Sequence, residues 1–194
     1  KSTEANNYST LSGTYTVGAG GNYSTITAAV ADYNSATLAG PVVFLLIDAS
    51  YSVNETFPIA INMNADASSV NTLTIKPATG VNAVISGLVN LDAMFKVRSN
   101  YVTIDGSNNG TATRNLTFTN TGITSSRTIM FGSTGVTPVI NCTLKNCNIL
   151  GGNSTSNAVV LCDGAAVNSP GYFNNITIEN NLVNKAFYGI YCNA

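Results

Sequence analysis

Several residue types on which catalysis and ion binding depend are missing or scarce in this chain. Its 194 residues include no histidine, which excludes a Ser-His-Asp triad and any histidine general base. Charged residues make up only 9% of the chain, against about a quarter in ordinary soluble domains. The net charge of -1 is small, and the basic residues are scattered along the sequence. This balance argues against nucleic acid or an anionic membrane surface as a partner.

Long apolar runs are missing too. The longest lies around Val42–Ile47, far below the 18 or more apolar residues that indicate a membrane-spanning helix. We therefore predict no membrane insertion. Residues 1–12 form a polar N-terminal segment that lacks the apolar region of a secretion signal. If the protein is exported, we expect that its signal was removed or lies outside this sequence.

The four cysteines are all in the last third of the chain, at Cys142, Cys147, Cys162 and Cys192. None of them forms a C-x-x-C pair, which together with the missing histidine argues against a zinc site. Two interpretations stay open. The cysteines form two disulfides, as in exported proteins, or they are buried free thiols that pack as small apolar residues.

One segment near the N-terminus has the spacing of an amphipathic helix. It runs over 23–34, behind a possible cap at Asn22 or Ser24. Its predicted buried face consists of Tyr23, Ile26, Ala29, Val30 and Tyr33. The run Val42–Ile47 then predicts a strand buried on both faces.

Short segments of alternating apolar and polar residues follow, bounded by Gly or Asn. The predicted main strands lie at 71–76, 100–106, 114–120, 141–148 and 174–181, and the weaker ones at 83–85, 94–97, 129–131, 159–161 and 189–191. The predicted inward pairs are Leu73 and Ile75, Val102 and Ile104, Leu116 and Phe118, Cys142 and Leu144, and Ile176 and Ile178. Several steps approach 30 residues, such as 29 from Ile75 to Ile104 and 33 from Ile149 to Leu182.

Such short strands bury an apolar face only when successive coils stack on one another. We therefore predict an all-β fold, a right-handed parallel β-helix, with a cap and first strands over 13–70 and coils over 71–194. The Asn residues suit its corners, because Asn tolerates left-handed backbone and can hydrogen-bond its counterpart in the next coil. An antiparallel β-sandwich is the competing architecture. Few two-residue Asn-Gly or Asp-Gly hairpin signals stand between paired runs, which disfavours it.

The segment from Gly18, Gly-Ala-Gly-Gly-Asn-Tyr-Ser-Thr-Ile-Thr-Ala-Ala-Val, resembles the N-terminal cap of pectin-lyase-like β-helices. The continuation, including Asn71-Thr-Leu-Thr-Ile-Lys-Pro and Asn100-Tyr-Val-Thr-Ile-Asp-Gly-Ser, resembles large secreted β-helix proteins of Bacteroidetes-type bacteria. The resemblance runs from about Gly13 to Cys192. It implies a fragment of a long cell-surface protein, exported by the type IX route and often adhesive.

Enzymes of this type use clustered carboxylates with calcium, an Arg or Lys base, or closely spaced Asp residues, and no such cluster is visible along this sequence. The weak catalytic candidates are Asp105, Asp163 and Arg114. Asp105 and Asp163 could meet across coils as a glycosidase pair or a calcium site, although Asp-Gly is also an ordinary turn. Arg98, Arg114 and Arg127 could bind a uronate or serve as a lyase base, or lie solvated on the outside. Residues that could stack on sugar rings are Tyr8, Tyr15, Tyr51, Tyr101, Tyr172 and Tyr188.

Three functional hypotheses follow. The first is a non-enzymatic, secreted or cell-surface module without a cofactor, which supports an adhesin or filament and contacts glycans or neighbouring copies. The second is the N-terminal part of a polysaccharide lyase or glycoside hydrolase, motivated by fold analogy alone. The third is a carbohydrate-binding module, which requires exposed aromatic residues along one flank.

Overall fold

The computed structural model describes residues 9–152 and 155–194. Most of the predicted polar segment 1–12, including Tyr8, therefore lies outside the described residues. The chain forms one helix and sixteen strands over the described part. They are α1 (Ile26–Ser35), β1 (Thr10–Val17), β2 (Thr37–Leu46), β3 (Ser50–Tyr51), β4 (Ile59–Ile61), β5 (Leu73–Pro77), β6 (Ala83–Gly87), β7 (Ala93–Val97), β8 (Val102–Asp105), β9 (Leu116–Asn120), β10 (Arg127–Ser133), β11 (Val139–Lys145), β12 (Cys147–Leu150), β13 (Asn157–Asp163), β14 (Phe173–Glu179), β15 (Leu182–Asn184) and β16 (Tyr188–Cys192).

The strands form three parallel sheets that wind into a β-solenoid of about six turns. The first sheet has the order β1-β2-β5-β8-β11-β14, the second β15-β12-β9-β6-β3 and the third β16-β13-β10-β7-β4. Each successive coil adds one strand to each sheet. The prediction of an all-β parallel coil is confirmed and the antiparallel sandwich is wrong, while the right hand of the coil stays a prediction.

Inward side chains of successive coils stack in ladders that fill the core. Each of these side chains is removed from water, which stabilises the fold by roughly 1.5–3 kcal/mol for a large apolar residue. The predicted inward pairs are all buried or, for Ile176 and Ile178, partly buried against the core. The ladders are Phe44, Ile75, Ile104 and Leu144 in the first sheet, Tyr51, Ile85, Phe118 and Ile149 in the second, and Ile59, Phe95, Ile129 and Val159 in the third.

The helix α1 packs near the N-terminal coil as predicted, but it begins two residues further along the chain than Ser24. Its N-cap is Thr25, whose hydroxyl accepts a hydrogen bond from the Ala28 amide at 3.0 Å. The Glu55 carboxylate accepts from the Ile26 and Thr27 amides, each at 2.7 Å. The predicted caps Asn22 and Ser24 are therefore wrong, because a distant carboxylate and Thr25 together satisfy the free amides of the first turn.

Three details of the strand prediction are wrong. The run Val42–Ile47 is buried on alternate residues only, because the outer face of the first sheet is partly open. The predicted strand 141–148 is two strands that belong to different sheets, and they are separated by a left-handed corner at Asn146 with φ 58°. Leu182 pairs with Asn148 and not with Ile149, so it faces outward and is half exposed.

The predicted role of Asn at the corners is confirmed at Asn146 and Asn180. Asn146 and Asn180 both have positive φ, and the Asn180 side-chain amide donates to the Asn146 side-chain oxygen at 2.7 Å. Asn141 and Asn175 form the same kind of pair within β11 and β14, where both have positive φ and their side chains are joined at 2.8 Å. Left-handed backbone and a side-chain bond to the next coil are both properties of Asn, which explains why this residue recurs where strands end.

Candidate functional site

The outer face of the third sheet is buried, although outward positions on a solenoid normally meet solvent. Lys96, Met130, Val160 and Tyr191 lie in register on four successive strands. Their chain neighbours Phe95, Ile129 and Val159 face the main core, so this row faces outward. Met130 and Val160 nevertheless form a second apolar cluster with Ala93 and Cys162. Something must therefore cover this part of the sheet.

The cover is the loop 164–170, which folds back over the third sheet from the end of β13. The Gly164 amide donates to the Ser133 carbonyl at 2.7 Å, and the Arg98 guanidinium donates to the Gly164 carbonyl at 2.9 Å. A Cβ at Gly164 would lie 2.6 Å from the Ser133 carbonyl oxygen, and one at Gly132 would lie 2.9 Å from the Gly164 Cα. Glycine at both positions permits this close approach.

Between this loop and the strands lies a central cavity of about 360 Å³. Its lining includes Lys96, Arg98, Arg127, Asp92 and Asp163, together with the apolar side chains of Met130 on the sheet and Val167 in the loop. Three of the eight basic residues of the chain therefore meet in one cavity. The sequence indicates Arg98 and Arg127 as possible uronate-binding residues together with Arg114, which lies outside this cavity, and it does not indicate Lys96.

The two carboxylates of the cavity are engaged by the chain itself. Asp92 accepts from the Lys96 ammonium at 2.6 Å and from the Ala93 amide at 2.7 Å. One oxygen of Asp163 accepts from the amides of Ala165 and Ala166, at 2.7 and 3.2 Å. This is the turn role of Asp that the sequence suggested as the alternative to catalysis.

The two arginines, by contrast, have backbone partners only. The Arg98 guanidinium reaches the Gly164 carbonyl, and that of Arg127 donates to the Leu91 carbonyl at 2.7 Å. Their Nε atoms are buried without a hydrogen-bond partner among the described residues, and the same holds for the Ser133 hydroxyl. A buried donor without a partner costs free energy, so these three groups are unsatisfied hydrogen-bonding groups in residues that line the cavities.

Two further cavities adjoin the central one and share lining residues with it, and we call the three together the outer groove. One, of about 330 Å³, shares Arg98, Asp163, Gly164 and Ala165 with it and reaches Ser133. The other, of about 320 Å³, shares Arg127 and Val167 and is lined by Phe187, Tyr188 and Tyr191. The groove thus has cations at its centre and aromatic rings at one end.

Those rings form a cluster. The ring centroids of Phe187 and Tyr188 are 4.6 Å apart, and those of Tyr188 and Tyr191 are 5.6 Å apart. Phe187 is 64% exposed and Tyr188 48% exposed. Tyr188 was among the tyrosines selected from the sequence, whereas Phe187 and Tyr191 were missed. Of the others, Tyr172 is exposed outside the groove, Tyr51 is buried, and Tyr15 and Tyr101 are half-buried.

The structure does not bring Asp105 and Asp163 together. Asp105 ends β8 in the first sheet, where it lies 3.5 Å from the Lys145 ammonium and accepts from the Asn146 side chain at 2.7 Å. Asp163 ends β13 in the third sheet. Arg114 lies outside the groove, and its guanidinium binds the carbonyl and side-chain oxygens of Asn180, at 2.7 and 2.5 Å. Of the three weak catalytic candidates, only Asp163 borders the groove.

The cysteines are free thiols in the structure. Cys142 and Cys147 face the core, where burial raises the pKa of Cys142 to about 11 and also raises the pKa of Cys147. Cys162 faces outward beneath the loop 164–170, and burial raises its pKa to about 11. Cys192 is exposed and in register with inward-facing Leu161. Cys162 and Cys192 therefore lie on opposite faces of their sheet, an arrangement that does not favour a disulfide between them.

Within the described ranges, no three His, Cys, Asp or Glu side chains come close enough to form a metal site, and calcium stays a hypothesis. In the same ranges, no helix has the length and apolar character needed to cross a membrane. No family model, no curated protein and no solved structure matches this chain.

Proposed function

We propose that this chain is a non-enzymatic module of a secreted or cell-surface protein, in which a rigid solenoid presents the outer groove to glycans. The observation that carries the proposal is the composition of the groove, which joins polar and cationic groups to a cluster of exposed rings. Sugars have apolar ring faces and hydroxyl edges. A groove of this kind offers each of them a partner.

The position of the rings supports an extended ligand. Arg127, Asn157 and Tyr188 lie in register on β10, β13 and β16. Neighbouring strands are about 4.8 Å apart, so a ligand that follows the solenoid axis passes Arg127 and then reaches Tyr188 two strands further on. A chain of linked sugars suits this length better than a single small molecule.

The proposal also includes the larger surface protein to which this chain would belong. The resemblance to pectin-lyase-like β-helices of large surface proteins agrees with the parallel solenoid at the level of the fold. We propose that the coil extends an adhesive protein and that glycans, or neighbouring copies of the protein, are its partners.

Affinity electrophoresis through gels that contain neutral or acidic polysaccharides tests the proposal. The wild type should be retarded by at least one of them, and Tyr188→Ala should weaken that retardation roughly fivefold or more, since a stacked ring contributes about 1 kcal/mol. Tyr172→Ala is the matched control, because Tyr172 is equally exposed but lies outside the groove. If the wild type is not retarded by any polysaccharide of a broad panel, the proposal is wrong.

A polysaccharide lyase is the second candidate, favoured by one observation. The central cavity places Asp163 beside two arginines and a lysine, and such groups can bind a uronate and remove a proton from it. The assay is the release of unsaturated ends, read as ultraviolet absorbance, from the polysaccharides that are bound. Turnover that is lost in Arg127→Gln would replace the non-enzymatic proposal with this one.

A further inference from the structure

The central cavity has one positive charge in excess, since its lining contains the three cations Lys96, Arg98 and Arg127 but only the two carboxylates of Asp92 and Asp163. The salt bridges among the described residues are Lys96 with Asp92 and Lys145 with Asp105. Neither Arg98 nor Arg127 takes part in one, although both line the central cavity. Their guanidinium groups, which stay charged at any relevant pH, face a cavity whose carboxylates already accept from Lys96 and from backbone amides.

The unpaired hydrogen-bond donors beside the cavity also favour a negatively charged ligand. The Nε atoms of Arg98 and Arg127 and the hydroxyl of Ser133 lack partners among the residues described, and all three are buried. Arg98 lines both the central cavity and the adjoining one that contains Ser133. These are donors of the kind that bind the oxygens of an oxyanion. A neutral sugar hydroxyl would satisfy one donor but would leave the charge without a counterion.

We propose that Arg98 and Arg127 form a binding site for the oxyanion substituent of a saccharide, a carboxylate or a sulfate, with Ser133 as an additional donor. The inference rests on the proposed function and adds the class of ligand. The substituent lies in the central part of the groove, and the neighbouring part of the glycan lies against the rings of Phe187 and Tyr188.

The chain offers an internal control for this site, because it has three arginines in all. Arg98 and Arg127 line the cavity, whereas the Nε of Arg114 already donates to the Asn180 carbonyl at 2.7 Å. Nitrogen-15 NMR of the folded protein resolves Nε–H signals, and each can be assigned by its loss in Arg98→Lys, Arg114→Lys or Arg127→Lys. Lysine retains the charge but has no Nε.

The experiment titrates the wild type with glucuronate, with inorganic sulfate and with glucose. Glucuronate or sulfate should shift the Nε–H signals of Arg98 and Arg127 and leave that of Arg114 unchanged, while glucose should shift none of them. A stronger effect of glucuronate identifies an acidic sugar, and a stronger effect of sulfate identifies a sulfated one. If neither anion shifts the two signals, or if all three arginines respond alike, the proposed site is wrong.

A second measurement separates this inference from the proposed function. Binding to dextran, carboxymethyl-dextran and dextran sulfate is compared, since these share one backbone and differ in charge. The charged forms should bind more tightly, and Arg127→Lys should weaken that binding roughly tenfold or more, while Arg114→Lys should not. Equal binding of neutral and charged forms overturns the oxyanion site but leaves glycan binding intact. Shifts at Arg98 and Arg127 in a protein that binds no polysaccharide overturn glycan binding and leave an anion site.

Discussion

The outer faces of the first and third sheets are built on the same coils but have opposite properties. On the first sheet, Thr74, Thr103, Thr143 and Thr177 form a ladder in register, half open to solvent. Beside it, Lys145 lies in register with Asp105 on one side and Glu179 on the other. On the third sheet, Met130 and Val160 are buried under the loop 164–170, and the cations face a cavity.

The difference shows that one solenoid can have a solvated face without a cavity and another face that a loop shapes into a possible binding site. On the first sheet, opposite charges alternate on successive coils, because Lys145 lies between Asp105 and Glu179 and pairs with Asp105 at 3.5 Å. On the third sheet a loop of seven residues removes the surface from water, and the carboxylates next to it are engaged by Lys96 and backbone amides. The remaining guanidinium groups are then the feature that distinguishes this face.

Replacement of one lysine on each face should give the largest difference in unfolding free energy between the two faces. Lys96→Met should cost roughly 1–2 kcal/mol of unfolding free energy, because it removes the 2.6 Å ion pair of a buried ammonium and leaves Asp92 with the Ala93 amide as its protein partner. Lys145→Met should cost no more than about 1 kcal/mol, because the ammonium is 3.5 Å from Asp105 and that carboxylate keeps its hydrogen bonds from the Ser107 amide and the Asn146 side chain. Urea unfolding of both variants measures the two values. Equal losses would show that the two faces are equally solvated.

A reciprocal exchange of isosteric residues should have an effect of similar size or smaller. Val160→Thr places a hydroxyl in the apolar cluster under the loop and should cost about 1–2 kcal/mol. Thr143→Val on the open face of the first sheet should change stability by no more than about 0.5 kcal/mol. Thermal unfolding of the pair gives both differences. If Thr143→Val is the more damaging change, the comparison of the two faces is wrong.

The rates at which the four thiols react test whether the outer face of the third sheet is covered, and they do so without a change in the protein. Cys162 faces outward but is buried under the loop, so it should react with a disulfide reagent as slowly as the inward Cys142 and Cys147, while exposed Cys192 reacts quickly. Timed labelling at neutral pH followed by mass spectrometry of peptides identifies each site. Rapid labelling of Cys162 would mean that the loop leaves this face open. Fewer than four thiols in denaturant would reveal a disulfide.

Alkaline pH should produce the smallest effect. Burial raises the pKa of Cys162 from 9.0 to about 11, so the unfolded chain loses this proton at lower pH than the folded one. Stability should therefore be complete below about pH 9 and fall between about pH 9 and 11. Cys162→Ala should show a smaller decline than the wild type in urea unfolding at pH 8 and pH 10. An identical decline would place the Cys162 thiol in solvent.

The parts of the fold that follow from local pattern were predictable. The inward pairs at Leu73 and Ile75 and at Leu116 and Phe118 were predicted from alternation, and the step from Ile75 to Ile104 is a true register step. The helix face was predicted apart from Tyr23, which is half-buried outside the helix. Its cap was not, because Glu55 reaches the helix from 29 residues away.

The candidate site, unlike the fold, could be predicted from the sequence only in part. Tyr188 and Asp163 were selected from the sequence, and Arg98 and Arg127 were considered, but nothing in their spacing placed them together. An alignment of the strands by register would have placed Arg127 and Tyr188 together, since Ala93, Arg127, Asn157 and Tyr188 occupy one row. The steps between them are unequal, and a step that is wrong by one residue exchanges inside for outside.

The sequence by itself determined that this protein is a parallel coil with Asn at its corners, because burial of alternate apolar residues and the backbone preferences of Asn act locally. Tertiary structure alone decided that three cations share one cavity, that a loop covers one outer face and that rings gather at the end of the groove. The outward residues are under no periodic constraint. Which of them meet depends on the register between coils and on the path of the loops, and neither is recorded in the local pattern.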